Sequence, residues 1–249
     1  MKLWLVVSNL NNLLPYLSRP INLIIIFSIV YVFSLPPFGV SIFYYISFSI
    51  IFYNILTNDN FSKKYIFYFF LFTQIITLSW ITQSFYSGGF GYLFLGIILV
   101  GALSLFIAFL HYSATILILV TFKKKLLQIF LLPLGLSIVE ILKEFIFGGF
   151  PWNPSAIIYY KNIWILKSLP FFGVYGLGLV VHLIVGLIIY FLYYKNKVLI
   201  FSLSLALVLI YAFGFFENNT ERKTNNETCL LYTSPSPRDQ RGSRMPSSA

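Results

Sequence analysis

The sequence predicts an all-α integral membrane protein of about seven transmembrane helices, with a cytoplasmic N-terminus and an extracytoplasmic C-terminus. Three observations carry this. Of 249 residues, 59% are hydrophobic and only 10% charged, where a soluble domain carries about 25% charged residues. The apolar residues fall in long runs with no polar face, a pattern that suits helices, whose backbone groups are satisfied internally in lipid. The basic residues, finally, gather in every second connection, on one side of the predicted spans.

In chain order, residues 1–20 read as a cytoplasmic lead-in. The spans follow at about 21–35, 40–56, 65–84, 91–121, 126–147, 168–192 and 198–216. Pro36-Pro37-Phe38-Gly39 separates the first two as a tight reversal, since Pro-Pro cannot continue a helix. The fourth exceeds the bilayer and is expected to tilt, or to bend near Gly96 or Gly101. Lys2 and Arg19 precede span one, Lys63 and Lys64 follow span two, Lys123 to Lys125 follow span four, and Lys195 and Lys197 follow span six. On the other side, loops 36–39 and 85–90 have no basic residue and 148–167 has only Lys161 and Lys167. The net charge of +10 is therefore topology-setting loop charge and a polar tail rather than a nucleic-acid surface.

The three outward loops share a composition of Gly, Pro and aromatics: S-L-P-P-F-G, S-G-G-F-G-Y and G-G-F-P-W-N-P. This suggests a shaped outer surface. After Phe216 the chain turns polar: 217–229 reads as the start of an extracytoplasmic linker, and 230–249, with its foreign Arg/Pro/Ser usage, as a non-native read-through tail. Cys229, the one cysteine, excludes an internal disulfide and lacks the folded context of a reactive thiol.

Chemistry is sparse. His111 and His182 both lie inside spans and read as helix-packing hydrogen bonders; no Ser-His-Asp or Cys-His set is evident on one side of the membrane. No metal-ligand spacing occurs, and neither metal nor cofactor is expected. The exception is Glu140-Ile141-Leu142-Lys143-Glu144, followed by Gly148-Gly149-Phe150-Pro151-Trp152-Asn153. Charge within a span costs a few kcal/mol per residue near the bilayer centre, so it faces the bundle interior or a wet cavity. The i, i+3 spacing of Glu140 and Lys143 leads us to expect that Lys143 bridges Glu140 and Glu144. One reading is a structural ion pair, the other a site near the outer leaflet that handles a lipid headgroup.

Glu140 followed by Gly149-Phe150-Pro151-Trp152-Asn153, then Phe172-Gly173-Val174-Tyr175-Gly176-Leu177, resembles the apolipoprotein N-acyltransferase family. Pro36-Pro37-Phe38-Gly39 resembles that family's first reversal, and Trp80 in L-S-W-I-T-Q-S resembles the tryptophan closing its third span. The agreement runs over about residues 20–216. Ile141, Lys143, Glu144 and Gly148 stand where the family has Trp, Arg, Gly and Thr; lysine keeps the charge of arginine without its planar fork.

The resemblance implies a multi-pass enzyme of the bacterial inner membrane. It moves a fatty acyl chain from a phospholipid, through a cysteine thioester, onto the amino group of a lipoprotein's N-terminal diacylglyceryl-cysteine. The family's catalytic Glu, Lys and Cys belong to an extracytoplasmic nitrilase-like domain, too large for the 33 residues that follow Phe216. We therefore expect the membrane half of such an enzyme, inactive alone and with no catalytic residue of its own. Lipid- or substrate-proximal positions are expected at Glu140, Lys143, Phe150, Pro151, Trp152, Asn153, Trp80, Pro37 and Phe38. The expected partners are a phospholipid donor, a lipoprotein acceptor and the bilayer. A small polytopic transporter and a non-catalytic membrane scaffold are the competing readings.

Overall fold

In the computed structural model the described residues are 19–195, apart from 59, 60, 87, 88, 150 and 151. They are mainly helical, with no strand among them. Most of the lead-in, the seventh span at 198–216, the 217–229 linker, the 230–249 tail and Cys229 lie outside the described residues.

The main helices are α1 (Pro20–Val32), α2 (Ile42–Thr57), α3 (Lys63–Leu78), α5 (Phe90–Thr121), α6 (Lys125–Ile146) and α8 (Leu169–Tyr194). Two short helices, α4 (Thr82–Tyr86) and α7 (Ile163–Leu166), lie in the connections. A 3-10 turn at Ser79–Ile81 joins α3 to α4 into an apolar stretch, Lys63–Tyr86, long enough to cross a membrane. The Ser79 and Thr82 hydroxyls donate to the Ile76 and Ser79 carbonyls at 2.8 and 2.6 Å, which favours the tighter turn there. That stretch, α5, α6 and α8 are the four helical segments long and apolar enough to span; α1 and α2, of 13 and 16 residues, are shorter. The long fourth stretch is one continuous helix of 32 residues.

The helices pack as a closed circuit: α1 against α2, α2 against α8, α8 against α6, α6 against α5, α5 against α3, and α3 against α1. Their polarity is inverted relative to a soluble bundle. On α6 the side chains of Gln128, Ser137, Glu140 and Lys143 are buried, while Ile138, Ile141, Leu142 and Phe145 are exposed, Phe145 by 78%. A helix that hides its polar face and shows its apolar one is built for lipid. The interior is also strongly aromatic. The Tyr44 ring stacks on Phe48 at 4.6 Å and lies edge-on to Tyr45, and Phe48 meets Phe52 and Phe69 edge to face. Such pairs contribute about 0.5–1.5 kcal/mol each beyond their buried area.

At one end of the circuit the two connections of the first and last helix pairs dock on each other. Pro36-Pro37 is a cis peptide, and the Gly39 and Val40 amides donate to the Leu35 and Phe33 carbonyls at 2.9 and 3.0 Å. The Tyr160 hydroxyl donates to the Pro37 carbonyl and the Lys161 ammonium to the Phe38 carbonyl, both at 2.7 Å. Tyr45 of α2 and Tyr159 share a hydroxyl–hydroxyl bond. Basic residues gather at the opposite end, where the Lys125 ammonium donates to the Leu56 carbonyl at the close of α2, 2.8 Å away.

Gly39 sits where these connections meet, at φ +67°, and a Cβ built there would lie 2.5 Å from the Tyr160 ring. Gly39→Ala is expected to destabilise the fold by about 1–3 kcal/mol, read as a lower unfolding midpoint in detergent micelles. An unchanged midpoint would show that the two connections do not dock.

Candidate functional site

One polar cluster occupies the centre of the circuit, and every main helix contributes to it. Glu140, Lys143 and Leu136 of α6 line a small cavity with Tyr31 of α1, Tyr44 of α2, Gln74 of α3, His111 of α5 and His182 of α8. Asn153 and Ser155, from the connection after α6, close it. Its volume is about 20 Å³, room for about one water molecule.

The local sequence explains how that connection reaches the centre. After Ile146 the Phe147 amide still bonds to the Lys143 carbonyl at 3.0 Å, and the Gly149 amide bonds back to the Glu144 carbonyl at 2.8 Å. Gly148 and Gly149 have φ of 68° and 93°, a left-handed helix ending that other residues adopt only with strain. Asn153, at φ 41°, completes the reversal. The chain thus returns along the bundle and a 3-10 turn begins at Ser155.

Ser155 meets Glu140 there. Its backbone amide donates to Glu140 Oε1 at 2.8 Å and its hydroxyl to Oε2 at 3.2 Å, so both carboxylate oxygens are satisfied by one residue. Glu140 is only 7% exposed, so these bonds replace the water it has lost. His182 Nε2 lies 3.8 Å from Oε1, an electrostatic contact beyond hydrogen-bond length. His182 Nδ1 is 2.7 Å from the Ser137 hydroxyl. With the ring proton on Nε2, toward the carboxylate, Ser137 donates to Nδ1.

Lys143 differs from its sequence-based expectation. It does not bridge Glu140 and Glu144; no lysine–carboxylate pair within salt-bridge distance is found among the described residues. Its ammonium instead donates to the Trp152 carbonyl at 3.0 Å. The physical reason is the backward path of the connection, which puts a backbone acceptor over the helix end. Lys143 and Glu140 therefore act in parallel, each holding a different point of the same return segment. The Trp152 ring packs edge-on against Phe147 at 5.6 Å, and both lie beside Leu78, Val100 and Ile107.

Ser137, His182 and Glu140 form a serine–histidine–carboxylate chain that sequence reading did not assemble. Ser137 is 7% exposed and does not line the cavity. The chain is thus suited to orienting the Glu140 carboxylate, with the Ser137 hydroxyl bonded to His182 rather than presented to the cavity.

The structure brings Glu140, Lys143, Trp152 and Asn153 together at this centre. Pro37 and Phe38 belong to the neighbouring docked connection. Trp80 stands apart, 61% exposed. Phe150 and Pro151 lie outside the described residues. Sequence reading missed Ser155, Ser137 and Gly178, and gave His182 no carboxylate. Gly178 matters because α8 passes directly over the Glu140–Ser155 contact: a Cβ built on it would lie 2.8 Å from Ser155 Oγ and 2.9 Å from Glu140 Oε2. The one available signal was small and polar residues recurring at Ser137, Glu140 and at Gly178, His182 on helices that pack together.

Gly178→Ala is expected to cost about 1–3 kcal/mol through overpacking. Ser155→Ala should cost about 1–2 kcal/mol through the lost bond to a charged acceptor. Both are read as lowered unfolding midpoints in micelles, and a Gly178→Ala midpoint equal to wild type would contradict the close approach of α8.

Residues 27–187 match the family described as the apolipoprotein N-acyltransferase N-terminal domain. The match takes in the central cluster, both docked connections and more than half of the chain. A comparison with curated proteins finds no match. On this match, with the helical membrane architecture that accompanies it, the chain belongs to the apolipoprotein N-acyltransferase family through that N-terminal domain.

Proposed function

We propose that this chain is the membrane half of an apolipoprotein N-acyltransferase of the bacterial inner membrane. The reaction would transfer a fatty acyl chain from a phospholipid to the amino group of a lipoprotein's N-terminal diacylglyceryl-cysteine. The observation that carries the reading is the family match over residues 27–187. In this reading about seven spans cross the bilayer, the lysine-poor end faces outward, and the chain leaves the membrane on that side after residue 216.

The part played by the described residues is positional. Glu140 and Lys143 fix the return segment from two sides, and that segment carries Trp152 and Asn153. Through Tyr160 and Lys161 the same segment holds the Pro37-Phe38 turn. These residues, with Phe150, Pro151 and the exposed Trp80, would form an outer-leaflet surface on which lipid substrates meet the catalytic domain implied by the family resemblance. Acyl transfer through a thioester needs a thiolate with a positioned base. No cysteine lies among the described residues, so the domain they form would bind and orient rather than react. The central cavity, of about 20 Å³, weighs against a solute pathway and so against a transporter.

The test is acyl transfer from phospholipid vesicles to a diacylglyceryl lipopeptide, followed by the mass of the N-acylated product. The chain alone is expected to give no product. Within an active enzyme carrying this membrane domain, Glu140→Ala should lower kcat by about 10- to 100-fold through misplacement of the return segment. Turnover by the chain alone, or full activity of the Glu140→Ala enzyme, would overturn this assignment.

A further inference from the structure

The central cluster takes in Lys143, while Lys161 and Lys167 lie outside it. Among the described residues they are the only basic residues in the connections at their end of the bundle. Both are held near aromatic rings. The Lys161 ammonium lies 5.5 Å over the Tyr160 ring while donating to the Phe38 carbonyl, and the Lys167 ammonium lies 5.0 Å over Trp164. An ammonium has three N–H donors, and the Phe38 carbonyl takes one of those of Lys161.

Beside Lys161 lies an open cleft of about 420 Å³, lined by Gly39, Ser41, Tyr159, Lys161, Asn162 and Trp164 among others. That volume falls within the range of small-ligand sites. Its chemistry is mixed: one ammonium, a hydroxyl and an amide stand beside the exposed side chains of Ile163 and Trp164. The cleft is bounded by the two connections that dock on each other, so its walls are set by the Tyr160–Pro37 and Lys161–Phe38 bonds. A basic pocket between the connections at the end of a membrane bundle, with an apolar flank, suits an anionic lipid headgroup.

We propose that the cleft between residues 39–41 and 158–164 binds a phosphate ester, with Lys161 as its countercharge, Ser41 and Asn162 as hydrogen-bonding groups, and the Ile163–Trp164 edge facing the attached apolar part. A phospholipid headgroup and a free phosphate ester share this chemistry. The inference rests on the reading of this end as the one that meets lipid substrates. It concerns binding alone, so its failure would leave the acyl-transfer assignment standing, and loss of acyl transfer would leave the cleft's binding measurable.

The test is equilibrium binding to the full chain in non-ionic micelles, followed by native mass spectrometry. The probes are phosphatidylglycerol, diacylglycerol with the same chains, and glycerol 3-phosphate as competitor. Phosphatidylglycerol is expected to bind, diacylglycerol to stay at background, and Lys161→Met to weaken phosphatidylglycerol binding by about tenfold, with Lys161→Arg restoring it. Competition by glycerol 3-phosphate would support the site and mark the ester alone as sufficient; no competition, with phosphatidylglycerol still bound, would support it as a lipid site. Since Lys161→Met also breaks the tie to Phe38, Ser41→Ala provides a variant that keeps the tie and should weaken binding by about threefold. Equal binding of phosphatidylglycerol and diacylglycerol would overturn the proposal, as would unchanged affinity in both Lys161→Met and Ser41→Ala.

Discussion

The structure depends on satisfying one buried carboxylate. Glu140 sits in an apolar bundle where an unpaired charge would cost several kcal/mol. Ser155 meets that cost with two hydrogen bonds, His182 adds a polar contact, and Ser137 fixes the ring of His182. Each of these partners constrains something larger. Ser155 brings back a segment that left the bundle at Ile146, and Gly178 must lack a side chain for α8 to pass at that distance. One charge thereby sets the path of a connection and the approach of two helices.

The same constraint reaches the surface in steps. The left-handed residues Gly148, Gly149 and Asn153 turn the chain inward, and the anchored Ser155 starts the turn that carries Tyr159 and Tyr160. Tyr159 meets Tyr45 of α2, and Tyr160 and Lys161 hold the carbonyls of Pro37 and Phe38. A polar group inside the bundle is in this way coupled to two loops about which its own helix carries no information. In the proposed enzyme the coupling gives a lipid-facing surface a defined shape, although that surface is built from loops.

Much of this was legible in the sequence because bilayer physics is written locally. The apolar runs at about 21–35, 40–56, 65–84, 91–121, 126–147 and 168–192 each coincide with a helical stretch to within a few residues, and Pro36-Pro37 and Gly148-Gly149 mark interruptions between them. Glu140 stood out because its surroundings are apolar. Its partner did not. Ser155 is 15 residues away in a loop without periodicity, and only the left-handed turn makes the two adjacent. For Lys143 the helical spacing to Glu140 pointed to an ion pair, but a backbone carbonyl delivered by the same turn competes for the ammonium. Gly178 likewise went unread, since a requirement for close approach exists only once α6 and α8 are packed.

The central claim is that Glu140 holds the return segment and, through it, the first reversal. Amide hydrogen exchange of the full chain in micelles, wild type against Glu140→Ala, tests it directly. Faster exchange is predicted across 152–162 and 33–41, while the amides of α5 keep their wild-type protection. Equal protection of both segments in the two chains would contradict the account.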